Sequence, residues 1–393
     1  VINLEVPRKL KPFIERARMV AEHVLRPIAR KYDTLEHTYP KELDLLAAMI
    51  DGANRGGAAP SASSLTKAAK DDGPAGSRNG ASMTAALSTF EAARGDIGLV
   101  LTLPRQGLGN AALAAVGTPE QKKEFGDRWI AMAITEPGAG SDSAAIRTTA
   151  RLDGDEWVIS GEKIFVTCGE RASAVVVWAT LDPAAGRAAI KAFLVPKGTP
   201  GMKVVRLDHK LGIRASDTAT LAFEECRVPK ANILGSPAIE TQKSFAGVMK
   251  TFDNTRPLVG AMAVGLANAA LERAHAILRE AGPIGEHQAL ELERLEAEVE
   301  AARLLVLKAA WMADNGKPNS LEASMCKAKA ARVANEVTLA CSALVGPRGY
   351  AEVELLEKWA RDSKILDIFE GTQQIQLLVV ARGLLGKTSA ELR

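Results

Sequence analysis

Met132-Ala-Ile-Thr-Glu-Pro-Gly-Ala-Gly-Ser-Asp142 marks the place where the text of this chain changes. Before it, apolar residues recur at helical spacing; after it, they fall into short strand-like runs. Two glycines and a proline predict a tight loop. Thr135 and Ser141 offer hydroxyls there, and freed backbone N–H groups can hold an anion or the polar edge of a planar ring. Taken alone, the segment also reads as an ordinary structural turn.

On the N-terminal side, Leu10 to Lys31, Ser82 to Arg94 and Ile97 to Val116 carry helical periodicity, and Gly52 to Gly80, rich in Gly, Ala, Ser and Asp, reads as a loop. On the other side, Trp157 to Gly161, Ala174 to Ala179, Ala192 to Val195 and Thr220 to Phe223 predict short strands with turns between them. From about Thr241 the text is helical again: Met262 to Arg279, Gln288 to Asn315, Leu321 to Leu344 and Thr372 to Leu385. The expectation is an α+β multidomain chain. It has an N-terminal α-helical domain (1–128), a middle antiparallel β domain (129–237) and a C-terminal helical bundle (238–393).

Composition narrows the partners. The chain has 393 residues, 47% hydrophobic and 25% charged, which suits several globular cores. The net charge of +3 comes from interspersed charges, so neither nucleic acid nor an anionic membrane is indicated. Cys168, Cys226, Cys326 and Cys341 form no C-x-x-C pair and no zinc-spaced cluster. Free thiols in a reducing compartment are expected, and no metal. Val1 to Lys11 lacks an apolar signal core, and no run reaches the length of a membrane span. The expected location is cytoplasmic.

Four further segments carry chemistry-bearing residues. Gly161-Glu-Lys-Ile-Phe-Val-Thr-Cys-Gly169 reads as a strand, and Lys210-Leu-Gly-Ile-Arg-Ala-Ser-Asp-Thr218 as a basic loop leading into one. Phe252-Asp-Asn-Thr-Arg-Pro257 reads by itself as a helix start with Asp253 or Asn254 as cap. In Ile368-Phe-Glu-Gly-Thr-Gln-Gln-Ile375, Glu370 lies between apolar residues and the glycine opening the last helix. An isolated Glu at that place is ordinarily a helix N-terminal charge.

Together and in this order, the five segments resemble the acyl-CoA dehydrogenase family, most strongly from Ala131 to Leu385. The resemblance implies a four-helix C-terminal bundle, with FAD between it and the β domain and an acyl-CoA thioester against the flavin. It implies that Met132, Ala133, Ile134, Thr135, Gly140 and Ser141 line the flavin, as do Phe165, Val166 and Thr167 on the strand and Thr372, Gln374 and Ile375 at the last helix. Phe165 stands where the family usually has Trp, keeping an aromatic face and losing the indole N–H. Ser141, Asp253, Arg256 and Gly371 match substrate contacts. Glu370 matches the catalytic base; some relatives carry theirs at the position of Thr255, which cannot act as one. An electron-transfer flavoprotein is the implied acceptor, and fatty acid β-oxidation the implied setting.

The chemistry supports the Glu370 assignment independently. A thioester α-C–H is a very weak acid, so its removal needs a base, a donor to the enolate-like oxygen and an electron sink. A carboxylate facing an apolar acyl chain loses hydration, and its pKa rises toward the working pH.

Two stretches depart from the family pattern. Arg279 to Gly285 lacks the usual Phe-Gly, and Ala343-Leu-Val-Gly-Pro-Arg-Gly349 has Ala343 for Gln and Pro347 for Gly. By resemblance both would serve a neighbouring subunit's FAD. Their joint change suggests a mixed oligomer, a heterotetramer with a related chain. A non-catalytic subunit of such a complex, and a flavin oxidase or monooxygenase on the same fold, stay open as alternatives.

Overall fold

A computed structural model describes residues 6–55, 80–104, 108–239, 246–388 and 391. The order helical, β, helical holds. The N-terminal part comprises α1 (Lys11–Val20) and α2 (Arg26–Thr34), joined by a π-helical turn, then α3 (Glu42–Arg55), α4 (Ala81–Ala93), α5 (Ile97–Thr102), α6 (Leu108–Val116) and α7 (Pro119–Phe125).

Two expectations need correction here, and one helix was missed. The helix expected over Ile97 to Val116 is interrupted, because Leu103 leaves helical geometry just ahead of Pro104, whose ring disfavours a helical predecessor. The loop expected from Gly52 begins later, since α3 runs through Arg55; most of the remaining stretch, 56–79, lies outside the described residues. Sequence reading missed α7, although Thr118 and Gln121 form a capping box at its start.

The middle part is one eight-stranded sheet: β1 (Ile130–Ala133), β2 (Thr149–Asp153), β3 (Glu156–Thr167), β4 (Ala174–Thr180), β5 (Ile190–Pro196), β6 (Met202–Leu207), β7 (Thr218–Pro229) and β8 (Ile233–Leu234). Its order is β6-β7-β3-β2-β4-β5-β8, with β1 also beside β4. It is antiparallel except where β4 meets β1 and β2 in parallel. β4 is buried throughout, and its side chains alternate between two cores. Val175, Val177 and Ala179 join Trp157, Phe193 and Leu221. Ala174, Val176 and Trp178 join Leu113, Phe125, Met132 and Ile134, with Phe252 packed against them.

The C-terminal part contains α8 (Ala246–Ala281), α9 (Glu286–Asp314), α10 (Ser320–Leu344), α11 (Leu356–Ser363) and α12 (Gln373–Leu385). α8 to α11 share one core with α4. The Phe252 to Pro257 segment is no helix start: it lies well inside α8, with Pro257 in the helix interior. Packing overrides the proline signal, since Val248 is anchored in the sheet-side core and Val259 in the bundle.

The Lys210 to Thr218 loop locks the three parts together. A Cβ at Gly212 would lie 2.5 Å from the Arg361 carbonyl, so only glycine allows this approach to α11. Beside it the Ile213 N–H donates to Asp362 at 2.6 Å. All four cysteines are buried free thiols. No described helix is long and apolar enough to cross a membrane.

Candidate active site

A buried ion pair holds the Met132 segment. β1 delivers Met132 and Ala133, both buried, beneath a turn in which Glu136 and Ala139 exchange backbone hydrogen bonds of 3.0 and 3.1 Å. The Glu136 carboxylate accepts from the Lys163 ammonium (2.7 Å), the Thr148 N–H and hydroxyl (2.9 and 2.6 Å) and the Arg147 N–H (2.7 Å). Lys163 also donates to the Ile134 carbonyl at 3.1 Å, and the Ile164 N–H to the Thr135 carbonyl at 2.9 Å. Burial pushes the Lys163 pKa down to about 8 against the opposing pull of Glu136. The loop backbone is thus clamped to β3, while Gly140 and Ser141 stay exposed. Sequence reading passed over Glu136 and Lys163, although both lie inside the quoted segments; nothing local showed that their charges meet in the interior.

β3 carries an irregularity between Lys163 and Val166. There Phe165 takes a left-handed φ of 57° and is 61% exposed, while Val166 is buried and Thr167 half-buried. A bulge of this kind re-aims one side chain of a strand. A Cβ built on nearby Gly140 would meet only the Thr135 methyl, at 3.8 Å. An outward aromatic ring and an open, polar, rigidly held loop fit a planar heterocycle such as a flavin.

The second half of the site converges on Glu370. Phe252 of α8 packs into the core that contains Met132 and Ile134, bringing that helix to the loop. One turn on, the Thr255 hydroxyl donates to the Glu370 carboxylate at 2.6 Å, so the two positions that the sequence resemblance offers for a base meet here. Arg256 is buried, ion-paired with Asp253 at 3.1 Å and set over the Phe252 ring at 5.6 Å, while its Nε has no partner. Asp253 also accepts from the Ser320 hydroxyl at 3.0 Å.

Glu370 is half-buried as a residue and has a left-handed φ of 57°. Burial raises its pKa, outweighing the Thr255 hydrogen bond and the charges of Arg256 and Lys327. Gly371 follows with φ 94°, and a Cβ there would sit 2.4 Å from Gln376 Nε2. Thr372 caps α12, accepting from the Ile375 N–H at 3.4 Å. Gln374 is exposed and makes no hydrogen bond to Glu370 or its neighbours among the described residues. Lys327 and Gln376, absent from the sequence-based candidates, both hydrogen-bond the Glu370–Gly371 turn.

Family models for the acyl-CoA dehydrogenase middle domain and C-terminal domain match residues 131–226 and 245–385. The short-chain specific mitochondrial acyl-CoA dehydrogenase of Homo sapiens is 35% identical over 98% of this chain and 92% of its own length. The acryloyl-CoA reductase (NADH) of Anaerotignum propionicum is 33% identical over 97% of this chain and 95% of its own. The solved butyryl-CoA dehydrogenase of Megasphaera elsdenii superimposes with a TM-score of 0.86 at 30% identity, covering 98% of this chain and 100% of that one. Matching middle and C-terminal domains, near-complete coverage by relatives and the shared fold establish the chain as a member of the acyl-CoA dehydrogenase family of FAD-dependent oxidoreductases.

Proposed function

We propose that this chain converts an acyl-CoA to the trans-2-enoyl-CoA, with Glu370 as the base that removes the α-proton. The observation that carries the reading is the Glu370 carboxylate itself, raised in pKa by burial and fixed by Thr255 at 2.6 Å. Such a group combines a basicity raised above that of an ordinary carboxylate with a set orientation. When bound, FAD supplies the acceptor for the β-hydride, at N5. Met132 to Thr135, Gly140, Ser141 and Phe165 to Thr167 would hold one side of it, and Thr372, Gln374 and Ile375 another. Ser141, Asp253, Arg256 and Gly371 are the proposed substrate contacts, and the domains are proposed to divide at 1–128, 129–237 and 238–393. An electron-transfer flavoprotein is the proposed acceptor. Anaerobic flavin reduction by acyl-CoA in Glu370→Gln tests the assignment.

Arg256→Ala should impair acyl-CoA affinity or turnover by about 10- to 100-fold with little loss of FAD, the range expected for a hydrogen bond to a charged group. Steady-state kinetics beside flavin absorbance decides it; an unchanged profile would make Arg256 a helix-packing residue only.

Assembly with a related chain belongs to the same reading. The two altered stretches lie side by side: Arg348 donates to Glu280 at 2.8 Å, and Gln288 to the Leu344 carbonyl at 3.3 Å. Pro347 is exposed and offers no N–H. If a neighbour's FAD normally draws on these elements, a homomer of this chain loses about two charged hydrogen bonds and binds FAD about 10²-fold or more weaker. The chain alone should be flavin-poor, and a related partner should restore less than one FAD per chain. Flavin absorbance per chain, with and without the partner, measures this. A stable homotetramer with one FAD per chain overturns it.

A further inference from the structure

The Glu370–Gly371 turn has positive φ at both residues and is held from outside its own segment. Gln376 of α12, fully buried, donates to the Glu370 and Gly371 carbonyls at 3.1 Å each. Lys327 of α10, also fully buried, donates to the Gly371 carbonyl at 2.8 Å. A lysine in such a place is unusual, because burying an ammonium is costly unless an opposite charge meets it. Among the described residues, Lys327 has no ion-pair partner.

The charges around Glu370 show where that ammonium acts. From α8 come the neutral Thr255 hydroxyl and Arg256, whose charge is already shared with Asp253 at 3.1 Å. From α10 comes Lys327, while the Cys326 thiol, which acts on Arg256, is pushed up to about 12 by burial and stays neutral. Asp367, in the turn before Glu370, is the other acidic group that acts on Lys327. Among the described residues, Lys327 is therefore the cation near Glu370 that no ion pair offsets.

We propose that Lys327 is a positioning residue for the base: it fixes the turn through the Gly371 carbonyl, and its charge keeps the Glu370 carboxyl able to ionise in its buried setting. The inference rests on Glu370 being the base and adds a second group that sets its basicity. The sign is determinate. A nearby cation favours carboxylate, so removing it raises the Glu370 pKa beyond the elevation burial already gives.

Lys327→Met and Lys327→Arg test this. Met fills similar space, and Gln376 still serves the Gly371 carbonyl, so the Met variant should fold. In Lys327→Met the acid limb of the pH profile for flavin reduction should move up by about one unit, roughly a tenfold loss below the limb that is recovered at higher pH. The carboxyl signal of Glu370, identified by its disappearance in Glu370→Gln, should shift equally in infrared titrations of the flavin-free protein. Lys327→Arg keeps the charge and should leave the limb in place while lowering the plateau. A uniform loss with an unmoved limb and an unmoved carboxyl titration in Lys327→Met overturns the proposal, as does a limb that moves in Lys327→Arg. Normal flavin reduction by Glu370→Gln would instead overturn the assignment of the base.

Discussion

Glu370→Gln should retain FAD and acyl-CoA yet reduce its flavin at least about 10²- to 10⁴-fold more slowly than wild type, the usual contribution of one positioned base. Gln nearly matches Glu in shape, and the Thr255 hydroxyl that donates to Glu370 at 2.6 Å can donate equally to an amide oxygen. The carbonyls of residues 370 and 371 keep their donors, Gln376 and Lys327, so the turn should persist. Only proton acceptance is lost. Thr255 cannot replace it, because a hydroxyl in that setting is a donor. Rapid-mixing anaerobic reduction by acyl-CoA, beside a binding titration of the same variant, gives the answer. Near-normal reduction would remove Glu370 from the mechanism, and lost binding would mean that the turn had collapsed.

The wild-type rate should also fall as pH drops through the Glu370 pKa. That midpoint should lie above the ordinary carboxylate range, because burial is the dominant influence on the group. Below it the carboxyl is protonated and cannot accept the α-proton. A pH profile with its acid limb at an ordinary carboxylate value would contradict the enclosed setting.

Much of the proposed site was legible because its residues are local in sequence. Glu370, Gly371 and Thr372 adjoin one another, and the Pro-Gly turn after Glu136 is written in four residues. β4 was legible because a continuous apolar, β-branched run suits a strand buried on both faces. What escaped depended on distance along the chain. The parallel pairing of β1 with β4 joins Ile130 to Ala174 without a hairpin to announce it. Asp253 or Asn254 looked like the cap of a helix start because short polar side chains favour that place, and only the packing of Val248 on the sheet shows that α8 starts earlier. Nothing local marks Lys163, Lys327 and Lys358 as buried, since a lysine is ordinarily exposed and no short pattern reveals that its charge is enclosed.

Lys358 leads to the largest expected loss of stability. It is buried on α11, where its ammonium meets the carboxylates of Asp96 and Asp362, both wholly buried. Burial alone would lower its pKa, but the two carboxylates outweigh that and raise it. Each carboxylate also has a structural partner: Asp96 caps α5 through the Leu99 N–H at 2.8 Å, and Asp362 receives the Ile213 N–H at 2.6 Å. One ammonium thus joins the N-terminal helices, the β6–β7 loop and the bundle. Lys358→Ala leaves two buried carboxylates facing each other, and breaking a buried pair costs about 3–5 kcal/mol. One carboxyl must then take a proton in the folded state, so its folded pKa exceeds its unfolded value. The folded variant binds more protons than the unfolded chain, and its stability falls as pH rises through the raised pKa. The deficit should therefore be larger near pH 7.5 than near pH 5 in equilibrium denaturation. Lys358→Met combined with Asp96→Asn and Asp362→Asn removes all three charges while keeping the helix cap and the acceptor for Ile213. It should recover most of the loss, since buried charge clusters replaced by neutral groups of similar volume are often no less stable. If Lys358→Ala alone matches wild type, or the triple variant is the less stable of the two, the triad is not what holds the three parts together.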